Sequence, residues 1–256
     1  METNHRQVSL PAQSEYINPK DNKPYPENII ISSRYTLLNF FPKNLFEQYR
    51  RISNVYFLVI GLIAVIGEYT SAFQTSIQPE GILVPMAIVI LISMIKDGVE
   101  DVKRHNADNA VNAKNTRVAR SDGEVISVAW RDLKVGDVLV ILMDDEIPAD
   151  TLVLCAGGIQ GNICYVETAA IDGETNLKLK TPCLPKNLQL QWDTASQRLN
   201  GLDSLSINVT AEPPNGSIHR FNGLCQLKAD SKQVDDLILS EKQLLLRGSA
   251  LRATGN

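Results

Sequence analysis

The sequence predicts a mixed fold: a transmembrane helical hairpin joined to a mainly-β cytosolic domain with a distorted jelly-roll arrangement. The first indication is the distribution of charge. Between Arg51 and Lys96 the only charged residues are Glu68 and Glu80. The second is a change of period, because apolar and polar residues alternate in short runs from Thr116 onward, with turn signals between the runs.

The composition disfavours some classes of function, among them nucleic-acid binding and metal binding. The net charge of −4 at pH 7 gives no sign of a nucleic-acid partner. The cysteines are scattered and include no Cys-x-x-Cys pair, so we interpret them as reduced thiols of a cytosolic domain; they are Cys155, Cys164, Cys183 and Cys225. The histidines are isolated as well, and we expect no metal site in the chain.

Residues 1–27 are polar and rich in proline, and they lack the charged start and apolar run of a signal peptide. We expect a flexible cytosolic tail. Residues 28–51 form a juxtamembrane segment, in which 28–36 has strand character and ends before Pro42. Residues 43–51 mix aromatic and basic residues, which is typical of a helix at a membrane surface.

Residues 52–96 are predicted to form the membrane hairpin. The uncharged runs are 52–67 and 81–95. If the first is extended to residue 73 and the second begins at residue 79, both approach the length of about 20 residues that spans a membrane. Arg50, Arg51 and Lys96 flank the outer ends, whereas both acids lie towards the turn, which indicates cytosolic ends. Two buried helices of a soluble protein are the alternative.

Residues 97–115 are charged but rich in helix formers. We expect the second membrane helix to continue through them as a stalk that transmits force between membrane and cytosol. A solvated linker is the alternative.

Residues 116–256 are predicted to be the β-rich domain. Asp122-Gly123 is a hairpin signal between strands at 116–120 and 124–130. Further strands are expected at 138–142, 151–155, 164–167, 176–180, 205–210 and 243–247. Many short strands separated by turns indicate a β-sandwich or distorted jelly roll.

One loop of this domain is the strongest candidate for a functional site. Residues 168–176 read Thr-Ala-Ala-Ile-Asp-Gly-Glu-Thr-Asn between two predicted strands. Gly173 accepts a positive φ and Asp172 can bond to its own backbone, so the pair predicts a turn that exposes Glu174. From the residues alone, a surface turn with a solvated glutamate remains the simpler interpretation.

The motifs, taken in order, resemble the amino-terminal part of a P-type ATPase, with the hairpin followed by an actuator domain. The marks of that domain are Gly136-Asp137, Pro148-Ala149-Asp150 and the Gly-Glu loop. Asp-Gly-Glu-Thr at 172–175, followed by Asn-Leu-Lys, resembles subfamily IV, the phospholipid flippases; other P-type pumps usually carry Thr-Gly-Glu-Ser there. The run Asn-Leu-Phe-Glu-Gln-Tyr-Arg-Arg at 44–51 and the segment 244–252 also match. The resemblance covers residues 17–252.

This resemblance implies an ATP-driven flippase that moves phospholipids to the cytosolic leaflet. Glu174 would hold and deprotonate the water that hydrolyses an aspartyl-phosphate, and Gly173 would let the loop approach the phosphate closely. Asp172 and Thr175 would set the loop's shape and docking contacts. ATP and Mg²⁺ would be bound by domains absent from this chain.

The resemblance also implies partners and location. The partners would be the phospholipid substrate, the membrane and an accessory transmembrane β-subunit. The protein would be integral to an endomembrane or the plasma membrane, with its termini and actuator domain cytosolic.

The chain departs from the family pattern at three places. Residues 62–68 read Leu-Ile-Ala-Val-Ile-Gly-Glu where flippases commonly show Gln and Pro, which leaves the transported lipid open. The usual Leu-Arg-Asn-Thr reads Leu-Arg-Ala-Thr at 251–254, and no Asp-Lys-Thr-Gly-Thr phosphorylation motif is present. We therefore expect an amino-terminal fragment that is inactive alone. The alternatives are a membrane-anchored β-domain that only binds partners and part of a cation-transporting P-type ATPase.

Overall fold

A computed structural model of the chain describes residues 6–10, 17–18, 23–70, 78–157, 163–185, 190–202, 205–229 and 232–254. The chain divides into two compact units. One contains Ile30–Val111 and is helical; the other combines Met1–Ile29 with Asn112–Asn256 and is rich in strands.

The helical unit contains α1 (Phe40–Tyr49), α2 (Ile52–Tyr69) and α3 (Pro79–Asn112). By length and composition, α2 and α3 are both able to cross a membrane. Only 11% of the most apolar stretch of each helix is buried, whereas a core helix of a soluble protein is mostly buried. The predicted helical hairpin is therefore confirmed at the level of its two helices, whereas the proposed extension of the first span to residue 73 lies outside the described residues.

The stalk is continuous with the second helix. Because α3 extends to Asn112 without a break, residues 97–112 are helical and not an extended linker. At about 1.5 Å per residue, its 34 residues, which include Pro85, form a helix about 51 Å long along its axis.

Close packing joins α2 and α3 at one point. A Cβ atom added to Gly61 would lie 2.3 Å from Cδ2 of Leu83, so the absence of a side chain lets the Leu83 side chain lie directly against α2. Ala64 on α2 and Ile90 on α3 are also buried.

The prediction of a strand at 28–36 is wrong, because this segment pairs with no strand in the described part of the chain. Carboxylates of α3 accept its backbone N–H groups instead. The Ser32 N–H lies 2.7 Å from Oδ2 of Asp108, and the Arg34 N–H lies 2.7 Å from Oδ1 of Asp101. The two acids are seven residues apart and share one helix face, so they satisfy the extended backbone as a strand would. The helix that follows also begins earlier than expected, with Pro42 inside its first turn.

The second unit is built from small antiparallel sheets. Its strands are β1 (Arg6–Leu10), β2 (Ile17–Asn18), β3 (Lys23–Pro24), β4 (Asn115–Ala119), β5 (Val125–Ala129), β6 (Val138–Val140), β7 (Thr151–Leu152), β8 (Cys164–Glu167), β9 (Lys178–Lys180), β10 (Gln191–Asp193), β11 (Arg198–Asn200), β12 (Leu205–Ala211), β13 (Gly223–Ala229), β14 (Lys232–Leu239), β15 (Leu244–Leu245) and β16 (Ala250–Thr254). The sheet orders are β1-β12-β13-β14, β5-β4-β6, β16-β8-β9, β10-β11, β15-β7 and β2-β3. A β-rich domain is confirmed, and the jelly-roll arrangement stays a prediction.

Several strands depart from the sequence predictions. The amino-terminal region is not wholly a flexible tail, because β1 pairs with β12 from Arg6↔Ala211 to Leu10↔Ile207. The sequence analysis does not predict β13, β14 and β16. Strands expected at 138–142, 151–155 and 243–247 are shorter than predicted, and β10 and β11 lie in a stretch without a clear period.

Two buried clusters stabilise this unit. The larger one includes Ile207, Cys225 and Leu227 from the four-stranded sheet. The smaller one includes Ile147, Cys164 and Val166 and lies against the three-stranded sheet β16-β8-β9. In β8 the buried Cys164 and Val166 alternate with half-buried residues, so this strand is fixed by its inward side chains.

The β4–β5 hairpin generates a stability prediction at Gly123. This glycine has φ +79°, and a Cβ atom there would lie 2.6 Å from the carbonyl oxygen of Leu199. Gly123→Ala should therefore lower the free energy of unfolding by at least about 1–2 kcal/mol, the cost of the left-handed conformation alone. Thermal unfolding of the full chain in detergent measures the change.

Gly216→Ala is the matched control, because Gly216 is exposed and no atom lies within 4 Å of its Cβ position. That variant should stay within about 0.5 kcal/mol of the wild type. Equal melting temperatures for the two variants would contradict the structure of the hairpin.

Candidate functional site: an Asp-Gly-Glu loop

The candidate site is the loop between β8 and β9, neighbouring antiparallel strands of the sheet β16-β8-β9. The pairing Val166↔Lys178 closes the loop at its base. On the other side of β8, Leu251 pairs with Val166. The loop therefore projects from the central strand of a sheet whose inner face is packed on the smaller buried cluster.

The loop begins as one helical turn, α4 (Ala169–Asp172). Its backbone bonds include Gly173 N–H to the Ala169 carbonyl oxygen at 3.1 Å. The turn ends at Gly173, whose φ of +76° stops the helix. The predicted positive φ at Gly173 is thus confirmed, but the surface β-turn expected from Asp-Gly is instead a helix terminus.

Asp172 anchors the loop. The Thr168 hydroxyl donates to its carboxylate at 2.9–3.0 Å, the Glu174 N–H donates to Oδ1 at 2.9 Å, and the Lys178 ammonium pairs with Oδ2. These donors, foremost the Lys178 ammonium, lower the pKa of Asp172 from 3.8 to about 2. Asp172 is therefore a shape-determining residue, held as a carboxylate.

Glu174 is held at its backbone but exposed at its side chain, which is 58% accessible to solvent. Lys178 lies 3.1 Å from its Oε2 and so contacts both acids of the loop. Because both carboxylates surround it, Lys178 has a raised pKa and remains an ammonium. One lysine therefore fixes the spacing between the anchored carboxylate and the exposed one.

The tip of the loop is open. Thr175 is exposed, and no atom lies within 4 Å of the Cβ position of Gly173. A phosphate or another protein surface can therefore approach the backbone beside Glu174 without meeting a side chain at position 173. The sequence-predicted residues 172–175 thus lie together, with Asp172 inward and Glu174 and Thr175 outward.

The chain contains a second Asp-Gly-Glu triplet at 122–124, and its local geometry is nearly the same. The Glu124 N–H donates to Oδ1 of Asp122 at 3.0 Å, and Gly123 has φ +79°. The surroundings differ, because Gly123 is packed against the Leu199 backbone, whereas the corresponding face of Gly173 is open. The candidate site therefore differs from an ordinary hairpin turn in the open space beside its glycine, Gly173.

Sequence reasoning assigned no role to three residues that support the loop. Thr168 is buried and bonds to Asp172, and Lys178 joins the two acids. Arg252 donates to Glu167, at the end of β8, at 2.6 Å and to Asp144 at 2.8 Å. Lys178 and Arg252 lie in motifs that carry the family resemblance, but their roles depend on pairings between strands that spacing does not reveal.

The described residues contain no group of three or more His, Cys, Asp or Glu side chains able to hold a metal ion. Nor does the sequence contain a Gly-x-x-x-x-Gly-Lys phosphate-binding loop. The loop's own chemistry is that of an exposed carboxylate with an open approach.

Comparison with known proteins agrees with these features. A family model described as "Phospholipid-translocating ATPase N-terminal" matches residues 12–77. The chain is 39% identical over 236 residues to "Probable phospholipid-transporting ATPase 12" of Arabidopsis thaliana, covering 91% of this chain and 18% of that protein. It is 33% identical to "Phospholipid-transporting ATPase FetA" of Mus musculus, covering 90% of this chain and 18% of that protein. With "Phospholipid-transporting ATPase VB" of Homo sapiens the identity is 35%, over 90% of this chain and 15% of that protein.

A pair of candidate membrane helices, a β-rich domain and an exposed Gly-Glu loop are features expected of the amino-terminal part of a P-type ATPase. Over about nine tenths of its length the chain is similar to the phospholipid-transporting ATPases, which form subfamily IV of that class. It spans less than a fifth of the length of the curated relatives that it matches.

The anchoring of Asp172 generates a prediction about pH. Since its pKa is lowered by folding, Asp172 contributes stability above 3.8, and this contribution is lost as pH falls through about 2. The amide shift of Glu174, whose N–H bonds to this carboxylate, should titrate near pH 2 in the wild type. In Lys178→Met the midpoint should move up towards 3.8, because the largest cause of the lowering is removed.

Lys180→Met is the control, since the Lys180 ammonium donates to the Glu241 carbonyl oxygen and not to Asp172. It should leave the Glu174 amide titration in place. An unchanged midpoint in Lys178→Met would show that Lys178 does not anchor the loop.

Proposed function

We propose that this chain supplies the actuator loop and two membrane helices of an ATP-driven phospholipid flippase, which moves lipids to the cytosolic leaflet. The observation that carries the proposal is the loop itself. Its backbone is fixed by Asp172, while Glu174 is presented outward beside a glycine with an open face. Such a loop is suited to a reaction centre on another domain, because it is rigid at its base and accessible at its tip.

The proposed reaction is hydrolysis of an aspartyl-phosphate carried by a segment outside this chain. A water molecule attacks the phosphorus, Glu174 accepts a proton from that water, and the bond from phosphorus to the aspartate oxygen breaks. The products are inorganic phosphate and the free aspartate. A positioned general base contributes about 10²–10⁴-fold to such a rate. Lys178, 3.1 Å from Oε2, restrains the base before the loop docks, and Asp172 and Thr175 set the docking shape.

ATP and Mg²⁺ belong to the proposed parent enzyme, where they supply the phosphoryl group and neutralise its charge. We propose that both are bound by domains other than the β-rich domain and the membrane hairpin, and that this chain alone does not turn over ATP. A phospholipid substrate and an accessory transmembrane β-subunit are the proposed partners.

The proposed topology places both outer ends of the hairpin in the cytosol. Arg50 and Arg51 precede α2, and Lys96 lies in α3 where its apolar stretch ends. Because α3 is unbroken from Pro79 to Asn112, a rotation applied at its cytosolic end would be transmitted to the membrane segment. The proposed site is an endomembrane or the plasma membrane, with a β-rich cytosolic actuator domain that we propose to be a distorted jelly roll.

The catalytic proposal is tested by Glu174→Gln in a full-length transporter that carries this segment. The amide keeps the shape of the side chain and loses the base, so phosphorylation by ATP should proceed while dephosphorylation slows by about 10²-fold or more. Phosphoenzyme should accumulate and lipid transport should be lost. Radiolabelled phosphoenzyme decay measures the effect.

Glu124→Gln is the matched control, because it changes the glutamate of the second Asp-Gly-Glu triplet in the same local geometry. Its phosphoenzyme should decay at the wild-type rate. Near-wild-type turnover by Glu174→Gln would remove Glu174 from the role of base.

The topology is tested at two N-glycosylation patterns, Asn208-Val-Thr and Asn215-Gly-Ser. Asn215 is exposed, so in a lumenal domain it would be open to the modifying enzyme. On the proposed topology both asparagines should remain unmodified in a eukaryotic host. A mass shift removed by glycosidase at either site would place the β-rich domain in the lumen and overturn the topology.

A further inference from the structure

A polar cavity of about 390 Å³ lies within the helical unit, apart from the Asp-Gly-Glu loop. Arginine dominates its lining: Arg34 precedes α1, Arg50 and Arg51 lie between α1 and α2, and Arg104 is on α3. Its volume lies in the range of small-ligand sites, near the lower end.

The acids of the lining already have partners. Glu47 accepts a hydrogen bond from the Tyr35 hydroxyl at 2.6 Å. Asp97 accepts from the side-chain amides of Asn44 at 3.0 Å and Gln48 at 3.1 Å. The third acid, Glu100, lies 3.6 Å from the Lys96 ammonium and 3.5 Å from the Arg104 guanidinium.

Three of the cations remain available. Among the described residues, the guanidinium groups of Arg34, Arg50 and Arg51 take part in no ion pair, and all three residues are exposed. Arg104 is shared between Glu100 and Asp101 at 3.5 and 3.9 Å. The unneutralised charge at the cavity is therefore positive and is carried by planar groups that suit phosphate oxygens.

A buried acceptor lies in the same wall. Gln48 is only 2% exposed, and within the described structure its Oε1 accepts no hydrogen bond, because the amide nitrogen is turned towards Asp97. This oxygen is closed to solvent, so what the wall offers a ligand is its guanidinium groups, which suit a phosphate.

The cavity is also next to the apolar surface. The exposed apolar face of α2 begins at Ile52, immediately after Arg51, and Asp97 and Glu100 directly follow the apolar part of α3. In the proposed membrane placement this is the level of the lipid headgroups on the cytosolic side.

We propose that the cavity binds the phosphate headgroup of an anionic phospholipid of the cytosolic leaflet, with Arg34, Arg50 and Arg51 on the phosphate. The proposal rests on the membrane placement made above and not on the role of Glu174. A bound headgroup would connect the α1–α2 junction to the base of the stalk.

Binding is tested with the full chain purified in neutral detergent, by native mass spectrometry with short-chain lipids. Dioctanoyl phosphatidic acid should be retained at one molecule per chain, and dioctanoyl phosphatidylcholine should not. Each arginine is expected to contribute about fivefold to the affinity for the lipid. The double variant Arg50→Gln with Arg51→Gln should therefore bind it about 25-fold more weakly. Lys103→Gln removes a charge from an exposed site on α3 outside the cavity and should have no effect.

Two further measurements separate a built site from diffuse attraction and from misfolding. Arg50→Lys combined with Arg51→Lys keeps the charge but loses the planar fork, so it should also bind more weakly. Wild-type retention by that variant, or several lipids per chain in the wild type, would overturn the site. Helical circular dichroism should be unchanged in every variant, and a lost spectrum would overturn the assignment of these exposed arginines to binding.

The ligand's source is tested with glycerol 3-phosphate, which should compete at least tenfold less well than phosphatidic acid. Equal competition would assign the cavity to soluble phosphates and overturn the lipid proposal. Because these measurements are made in detergent, they do not depend on topology or catalysis. A wrong topology would appear as glycosidase sensitivity at Asn215, and a wrong catalytic role as normal turnover by Glu174→Gln.

Discussion

A carboxylate that accepts backbone N–H groups is the interaction on which the irregular parts of this chain depend. Asp108 and Asp101 hold the segment 32–35 beside α3, and Asp172 holds the candidate loop. Asp150 accepts the Arg247 N–H at 2.9 Å, and Asp145 accepts the Leu142 N–H at 2.9 Å. Backbone donors outside helices and sheets need partners, and a charged acceptor makes a stronger bond than a neutral one. Replacing one of these acids therefore affects a stretch of backbone and not a single contact.

The sequence was sufficient wherever a pattern reports directly on local physics. Charge-free length predicted α2 and α3. The Asp-Gly pairs predicted a hairpin at Gly123 and a turn with positive φ at Gly173, and both glycines have a positive φ. It was insufficient where the partner is distant in the chain. Residues 28–36 have the composition of a strand, with three consecutive isoleucines, but backbone N–H groups of this segment bond to carboxylates of a helix. The strand β1 likewise depends on β12, some 200 residues later, and nothing in its own composition announces that pairing.

The two Asp-Gly-Glu triplets show that a sequence motif predicts local backbone geometry but not its surroundings. Both give the same bond from the glutamate N–H to the aspartate and nearly the same glycine conformation. The two triplets differ in the residues around them. The Leu199 backbone packs against Gly123, whereas Thr168 and Lys178 hold the acids of the other triplet and leave the space beside Gly173 open. The candidate residues 172–175 could be selected from the sequence through the family resemblance, but their supporting residues could not. Those supports come from strand register, which a single sequence does not contain.

The notch at Gly61 has a consequence for biosynthesis. With Leu83 fitted against a position that has no side chain, α2 and α3 have a specific contact of their own, while most of their apolar surface remains uncovered. Helices that enter a bilayer one after another first become independently stable and then associate through such small-residue contacts. In the proposed membrane placement, the two helices would associate through Gly61 and Leu83 after both have inserted. A bulkier residue at position 61 would then disturb the association of the two helices and not the insertion of either.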